Sequence, residues 1–443
     1  MGGNIMDNLV VAKFGGSSLA NAEQFKKVKN IVLQDERRRY IVPSAPGKRH
    51  NKDYKITDLF YLCHTHVESG ISFHEVFNII SERYKEIVNE LGLSINIDAH
   101  LEKVKLTIAE GSTADYAASR GEYLNGLILA DYLEYEFIDA ADVILFDQYG
   151  CFDSQNTKIA IKDKLSKVER AVIPGFYGGM ANGGIKTFTR GGSDITGSIV
   201  ARDIEAELYE NWTDVSGFLM ADPRIVENPK PIEKITYKEL RELAYMGATV
   251  LHEEAVFPAR EGGIPINIKN TNSPEDKGTI IIDDVDVESG GSAITGVAGK
   301  KNFTVIAIEK AYMNAEIGFG RRLLSILESY GVSFEHMPSG IDTISVVIED
   351  HQLEHKLDRV LDEIKRQCNP DSLQVIPNMA VVATVGRRMA KTVGVSEKIF
   401  TALARNNVNI RMIDQGSSEI NIIIGVETKD FENAINSIYN AFV

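Results

Sequence analysis

Cysteine is scarce in this chain: three occur in 443 residues, Cys63, Cys151 and Cys368, far apart. That spacing supplies neither a disulfide framework nor the paired ligands of a zinc site, and it suits a reducing cytoplasm. No apolar run is long enough to span a bilayer. No basic segment followed by an apolar core opens the chain, so no secretory signal is expected. Basic residues are too few to balance the acids, 48 Lys and Arg against 63 Asp and Glu, for a formal net charge of −15. An acidic surface repels nucleic acid and anionic lipid, which removes both as expected partners but leaves room for a local phosphate pocket. The Walker pattern G-x-x-x-x-G-K-S/T is absent, as is the catalytic-loop signature of protein kinases. What is present is a folded composition, 44% hydrophobic and 25% charged, at a length that suits two or three domains and needs no disulfides.

Short β-branched runs alternate with helical patterns through the first part. "LVVAKF" precedes an amphipathic stretch from Asn21 to Leu33 and then "YIVPSA"; "DVILF", "AVIPGF", "IKTFT" and "ELYENW" follow, with helical patterns between several of them. The alternation predicts an α/β fold with a largely parallel sheet covered by helices. Glycine-rich bends recur at strand ends, at 15–16, 178–179, 183–184, 191–192 and 217. Ligands of open α/β sheets sit at the carboxyl ends of strands, so one site assembled from distant loops is expected.

Between Ile282 and Lys301 acids, serines and glycines replace periodic structure, which reads as a linker. An internal repeat follows. "FTVIAI" at 303–308 matches "MAVVAT" at 379–384, a displacement of 76 that also superimposes Gly318 on Gly394, Leu323 on Ile399, Leu327 on Leu403 and Gly340 on Gly416. Each copy reads strand, helix, strand, strand, helix, like a split βαβ module. The second copy reaches Val443 without a final strand, so another part of this chain or a second chain is expected to complete its sheet.

Three stretches carry chemistry. In "KFGGSS", Lys13 ends a strand and Gly15 and Gly16 lead into a helix. Bare amides, a helix N-terminus and a mobile charge make a phosphate cradle, although an ordinary strand-to-helix turn reads the same way. In "TFTRGGSD", Arg190 and two glycines precede Ser193, a candidate helix cap, and Asp194 in the first turn. A guanidinium fork suits a carboxylate. In "ENWTDVSGFLMADPRIV", Thr213, Asp214, Ser216 and Gly217 form a polar bend and "ADPR" a second, and a turn-only role for Asp214 and Asp222 stays open.

"KFGGSS", "TRGGSD", "NWTDVSG" and "ADPR", in this order and with "MGATVLHEEA" at 246–255, resemble the aspartokinases of the amino-acid kinase superfamily. The tandem repeat is similar to that family's paired regulatory ACT domains. The resemblance covers nearly the whole chain. It implies a carbamate-kinase-like three-layer fold with a largely parallel sheet over residues 1–292, a linker at 293–301, and two ferredoxin-like ACT units over 302–443, about 302–377 and 378–443.

The activity implied is transfer of the γ-phosphoryl of ATP to the side-chain carboxylate of L-aspartate, the first step toward lysine, threonine and methionine. The nucleophile is already an anion near neutral pH, with a reference pKa of about 3.9, so no general base is needed. The resemblance gives Lys13 contact with the transferring phosphoryl, aided by Gly15, Gly16 and Ser17, and puts Asp194 near the reacting groups. Ser44, Thr57, Glu122 and Arg190 are expected to bind aspartate, Glu122 at the amino group and Arg190 at the α-carboxylate. Without the resemblance Glu122 reads as a solvated helix face. Thr213, Asp214, Asp222 and Arg224 fall on the nucleotide side. Asn272, in "KNTNSP", lies where some relatives use a lysine near the phosphates, and "GKRHNKDYK" replaces a shorter family loop after Ser44. Mg²⁺ is expected to come with ATP, with no protein metal cage.

The ACT resemblance implies feedback inhibition, by lysine rather than threonine. The expected effector residues are Met313, Gly318, Phe319, Ser333, Phe334, Glu335, Ser339 and Gly340, with Glu335 pairing an amino group; an exposed strand-end acid is its other reading. Edge strands of ACT units predict a homo-oligomer. Two other readings are an amino-acid kinase with a different carboxylate substrate and a catalytically silent amino-acid sensor. A fusion with homoserine dehydrogenase is not expected, because no dinucleotide-binding segment follows the repeat.

Overall fold

The computed structural model describes residues 9–189, 191–247, 253–283 and 292–443. It divides into two units. The first holds the described residues up to Phe218, Pro231–Tyr237 and those within 250–285; the second holds Leu219–Lys230, those within 238–249, and those from 292 onward.

Among the described residues of the first unit, eight strands form one sheet: β1 (Val10–Phe14), β2 (Arg38–Pro43), β3 (Glu136–Phe137), β5 (Ala171–Val172), β8 (Leu208–Thr213), β9 (Lys234–Thr236), β10 (Ile266–Asn270) and β11 (Thr279–Ile282). Their order is β3-β5-β2-β1-β8-β10-β11-β9, parallel throughout except for β10 against β11. The chain runs from β1 to β2 on one side and returns with β8 on the other. The carboxyl end of β1 is therefore a switch point, where loops diverge and leave a crevice.

Alternation along β1 sorts its side chains between two helical layers. Ala12 and Phe14 join Ile41 and Trp212 in a core with apolar residues of α1 (Ala22–Leu33), α2 (Ile56–Glu68), α3 (His74–Leu91), α4 (Ile97–Ala109) and α5 (Ala114–Leu133). Lys13 points the other way, level with Asn211 of β8, toward the helix Gly192–Asp203. "DVILF", expected as one strand, splits: Ala140–Val143 is a helical turn capped by Asp139, and only Leu145–Phe146 is strand, β4. It pairs with β6 (Tyr177–Met180), and β6 with β7 (Ile185–Thr187), in a separate three-stranded sheet.

The second unit is built on two long strands, β12 (Gly296–Glu309) and β14 (Ser372–Val385). The rear half of β12 lies between β13 (Thr343–Glu349) and the front of β14. The rear half of β14 lies between β16 (Asn421–Glu427) and the front of β12, and β15 (Met412–Asp414) pairs with β16. The strand that the second repeat lacks thus comes from Gly296–Lys301, so the copies interlock. Those residues fall in the stretch read as linker; from Gly296 it is strand, because its backbone pairs with β14. Each long strand crosses the junction on an asparagine with positive φ, Asn302 at 71° and Asn378 at 58°. Asparagine tolerates that conformation better than most residues, and the displacement of 76 places one in each copy.

Two outlying segments join this unit through buried polar contacts. Glu239, fully buried, accepts from the Thr295 hydroxyl (2.5 Å), the Arg387 amide (2.8 Å) and the Arg387 guanidinium (3.0 Å). In the 219–230 segment, Met220 O accepts from Val297 N at 2.7 Å and Lys230 N donates to the Tyr439 hydroxyl at 2.9 Å. No helix among the described residues is long and apolar enough to cross a membrane.

Candidate active site

The loops after β1 and β2 run backbone against backbone. Gly47 N donates to Gly16 O at 2.8 Å and Ser44 N to Phe14 O at 3.0 Å. A Cβ on Gly16 would stand 3.0 Å from Ala45 O, and one on Gly47 only 2.6 Å from Gly16 C. Gly15 has an ordinary φ of −69°, and Gly16 is not among the positive-φ residues. Gly16 is therefore required by its neighbouring loop, not by an unusual conformation. The Gly15 amide, expected to face a phosphate, is already committed to Trp212 O at 2.9 Å, because the turn closes on the end of β8. Among the described residues the Gly16 and Ser17 amides have no such partner.

The long segment after Ser44 is pinned from below. Asp53 is buried and bonds the Arg83 guanidinium at 2.5 Å and Arg49 Nε at 3.1 Å, while Arg83 also reaches Gly47 O at 3.1 Å. Burial would raise the Asp53 carboxyl, but the two guanidinium groups hold it well below its usual range. Sequence reasoning missed this network, which joins residues about thirty positions apart.

Lys13 is 7% exposed. Its ammonium lies 2.5 Å from Asp194 Oδ1 and 3.3 Å from Asn211 Oδ1, and Asn211 Nδ2 donates to Asp194 Oδ1 at 2.9 Å. The Tyr209 hydroxyl fixes the Asp194 carbonyl at 3.1 Å. Asp194 does lie in the first turn of its helix, but Ser193 is not the cap: Gly191, at φ 56°, takes that position without a side-chain bond. Ser193 packs against Gly175 instead, where an added Cβ would fall 2.6 Å from the serine's own. Arg190 lies outside the described residues. The strand leading toward it, β7, is held at Thr187 N and Lys186 Nζ by Asp115 of α5.

A second cluster forms where α5 meets the loop after β2. Glu122 is 5% exposed, one turn from Asn125, whose Nδ2 donates to Ser44 O at 2.6 Å. Gly121 lies against this loop: an added Cβ would fall 2.9 Å from Ala45 Cβ and 3.8 Å from Thr57 Oγ1. Ser44, Thr57 and Glu122 are thus brought together, and Asn125, not anticipated, joins them. Its signal was positional, since i and i+3 share a helix face. Glu122 Oε2 and Asn125 Oδ1 are both buried with no hydrogen-bond partner among the described residues. Burial pushes the Glu122 carboxyl up to about 8, with the Ala45 amide and Arg120 pulling the other way. Two unsatisfied acceptors in one place fit a donor-only group such as an ammonium.

The ends of β8 and β10 close the other side. The Thr213 hydroxyl donates to Asp214 Oδ1 at 3.1 Å, Thr271 N donates to Thr213 O at 2.9 Å, and the Thr271 and Ser18 hydroxyls are 2.7 Å apart. Asn272 Oδ1 accepts from Lys27 Nζ at 2.8 Å and Gln24 Nε2 at 3.2 Å. Asp222 and Arg224 belong to the second unit, where they bond each other across one turn at 2.6 Å. Among the described residues no group of three or more His, Cys, Asp or Glu side chains could hold a metal ion.

In the second unit, Met313 is the buried residue of an otherwise exposed turn, and Gly318, at φ 84°, caps the helix Phe319–Ser329. Asn314 N donates to Ile341 O at 3.1 Å, which brings this turn beside the Ser339–Gly340 bend. Ser333 and Phe334 precede Glu335, whose amide pairs with Val347 O; burial, and then the nearby Glu335 carboxylate, hold the Tyr245 hydroxyl above its ordinary range.

A model of the amino acid kinase family matches residues 8–270, and a model of the ACT domain matches residues 382–442. The chain is 38% identical over 447 residues to Aspartokinase 3 of Bacillus subtilis, covering 98% of each. The crystal structure of Clostridium acetobutylicum aspartate kinase matches with a TM-score of 0.93 and 66% identity, over 98% of this chain and 100% of that one. Escherichia coli aspartokinase III in complex with lysine and aspartate shares the fold, with a TM-score of 0.74 at 24% identity over 98% and 99% of the two chains.

Proposed function

The chain belongs to the aspartokinases of the amino acid kinase family and is a kinase acting on aspartate, and from that premise we propose how its residues divide the reaction. Aspartate enters with its ammonium on Glu122 and Asn125, whose unpartnered buried oxygens are the observation that carries this reading. Ser44 and Thr57 line the same pocket, and Arg190 takes the α-carboxylate. The side-chain carboxylate then faces the cradle at the end of β1. ATP lays its phosphates over the Gly16 and Ser17 amides, with Thr213 and Asp214 at the strand end beside them.

Lys13 is the charge that meets the transferring phosphoryl. In the free enzyme Asp194 holds that ammonium in place, so it needs no reorganisation when ATP arrives. Attack by a carboxylate oxygen on the γ-phosphorus releases ADP and leaves 4-phospho-L-aspartate; no proton need move. Mg²⁺ carried by the phosphates and water would offset repulsion between the two anions. Asp222 and Arg224 are assigned to the nucleotide as well, and their mutual ion pair shapes the turn that carries them.

We assign feedback inhibition by lysine to the first ACT-like copy, around Met313, Gly318, Phe319, Ser333, Phe334, Glu335, Ser339 and Gly340. An E. coli relative has been solved with lysine and aspartate, and the Clostridium relative is an allosteric enzyme. Tyr312, Ile317 and Ile341 near that turn are 81%, 98% and 71% exposed, which suits a homo-oligomer formed through the ACT units. Three free cysteines suit a cytoplasmic enzyme at the entry to lysine, threonine and methionine synthesis.

The test is to trap the acyl phosphate with hydroxylamine and follow aspartyl hydroxamate, with lysine or threonine titrated into the same reaction. Lys13→Ala should retain the fold and lose about two to three orders of magnitude in turnover. Near-normal turnover in that variant would remove Lys13 from the reaction.

A further inference from the structure

We propose that Lys27, on α1, is a second phosphate-binding cation of this site, steered by Asn272 toward the polyphosphate of the bound nucleotide. The proposal rests on reading the glycine turn as the phosphate cradle.

Position comes first. Thr271 joins the cradle directly, through its hydroxyl to Ser18 and its amide to Thr213 O. Asn272 is the next residue, and its own amide is tied back to Asn270 Oδ1 at 2.9 Å. Its side-chain oxygen receives Lys27 Nζ at 2.8 Å and Gln24 Nε2 at 3.2 Å, donors from successive turns of α1. Helical side chains lean toward the helix N-terminus, and the N-terminus of α1 is where the glycine turn ends. The Lys27 stem therefore runs back toward the cradle.

Charge comes second. Lys13 shares its ammonium with Asp194, so the cradle's own cation is largely neutralised before ATP binds. Lys269, at the end of β10, lies over the Trp212 ring at 5.0 Å, and burial disfavours its charged form. Lys26 is spent on Glu23 at 2.6 Å. Lys27 bonds a neutral amide oxygen and, among the described residues, makes no ion pair. Its ammonium feels Glu23 one turn away, which Lys26 already bonds, but it is not paired to that carboxylate, on a protein whose net charge of −15 otherwise repels a polyphosphate. An amide oxygen holds an ammonium in place without cancelling it, and a phosphate oxygen can take a further N–H.

The experiment compares ADP and adenosine affinities by calorimetry in the full chain, with KM for ATP and aspartate alongside. Lys27→Met should weaken ADP and raise KM for ATP about tenfold, leaving adenosine affinity and KM for aspartate within about twofold. Lys27→Arg should stay near the wild type. Adding Asn272→Lys to Lys27→Met should restore ADP affinity, since the cation is then carried by the neighbouring loop. Unchanged ADP affinity in Lys27→Met, or an equal loss for adenosine, would overturn the assignment and leave the cradle standing. A wild-type chain that binds ADP no better than adenosine would instead remove the cradle, and Lys27 with it.

Discussion

Glu122 is a carboxyl whose working range is set by burial. Its folded value of about 8 lies above its ordinary value, so between about 4.5 and 8 the folded chain holds a proton that the unfolded chain releases. Stability from this group is therefore complete below about 4.5 and is lost as the pH rises through about 8; Glu122→Gln should flatten that slope in chemical denaturation. An incoming ammonium favours the ionised form. KM for aspartate should thus rise about tenfold per unit as the pH falls below about 8, while kcat at saturating aspartate changes little. A KM that is flat from pH 6 to 8 would place the ammonium elsewhere. That Lys13 lies near a strand end and Asp194 in the first turn of a helix was legible because glycines punctuate the sequence around them; their ion pair was not. Asn125 was not, since nothing marks it but its spacing from Glu122, and Lys27 with Asn272 was out of reach because 245 positions separate them.

At the scale of elements, the site depends on two loops touching without side chains. Gly47→Ala drives a Cβ into the Gly16 carbonyl, so the turn or the loop must shift. We expect this variant to lose about tenfold or more in kcat/KM for both substrates and to melt earlier, as strain at a close backbone approach predicts. Kinetics and a thermal melt check it; wild-type values would mean that the loops need not touch. That Gly16 would be approached by something was readable from "FGGSS", but the identity of the neighbour was not, because it is contributed by the next strand's loop. The strands β1 and β2 were readable from their apolar runs, and β8 from "ELYENW" despite the polar Glu210 and Asn211 at its centre. "DVILF" misled because Asp139 caps a helical turn that uses up its first two residues, Asp142 and Val143. Ser193 misled because Gly191 can adopt a left-handed φ and take over the cap.

For the molecule as a whole, the displacement of 76 made the repeat legible, but which strand completes the second copy was not, because Gly296–Lys301 falls in the stretch read as linker and is strand through its pairing with β14. The assignment of 219–230 and of the described residues within 238–249 to the second unit was not legible, because it depends on buried contacts such as Glu239 with Arg387, which no contiguous reading of the chain exposes. Substrate choice is where the whole assembly is tested, because cradle and ammonium pocket come from different layers of the fold and must serve one reaction. The most direct measurement is ADP release with aspartate, glutamate and N-acetylaspartate in turn. The account predicts turnover with aspartate and about a hundredfold less or worse with N-acetylaspartate, which has no ammonium for Glu122 and Asn125. Equal turnover with aspartate and N-acetylaspartate, or turnover with glutamate alone, would contradict it.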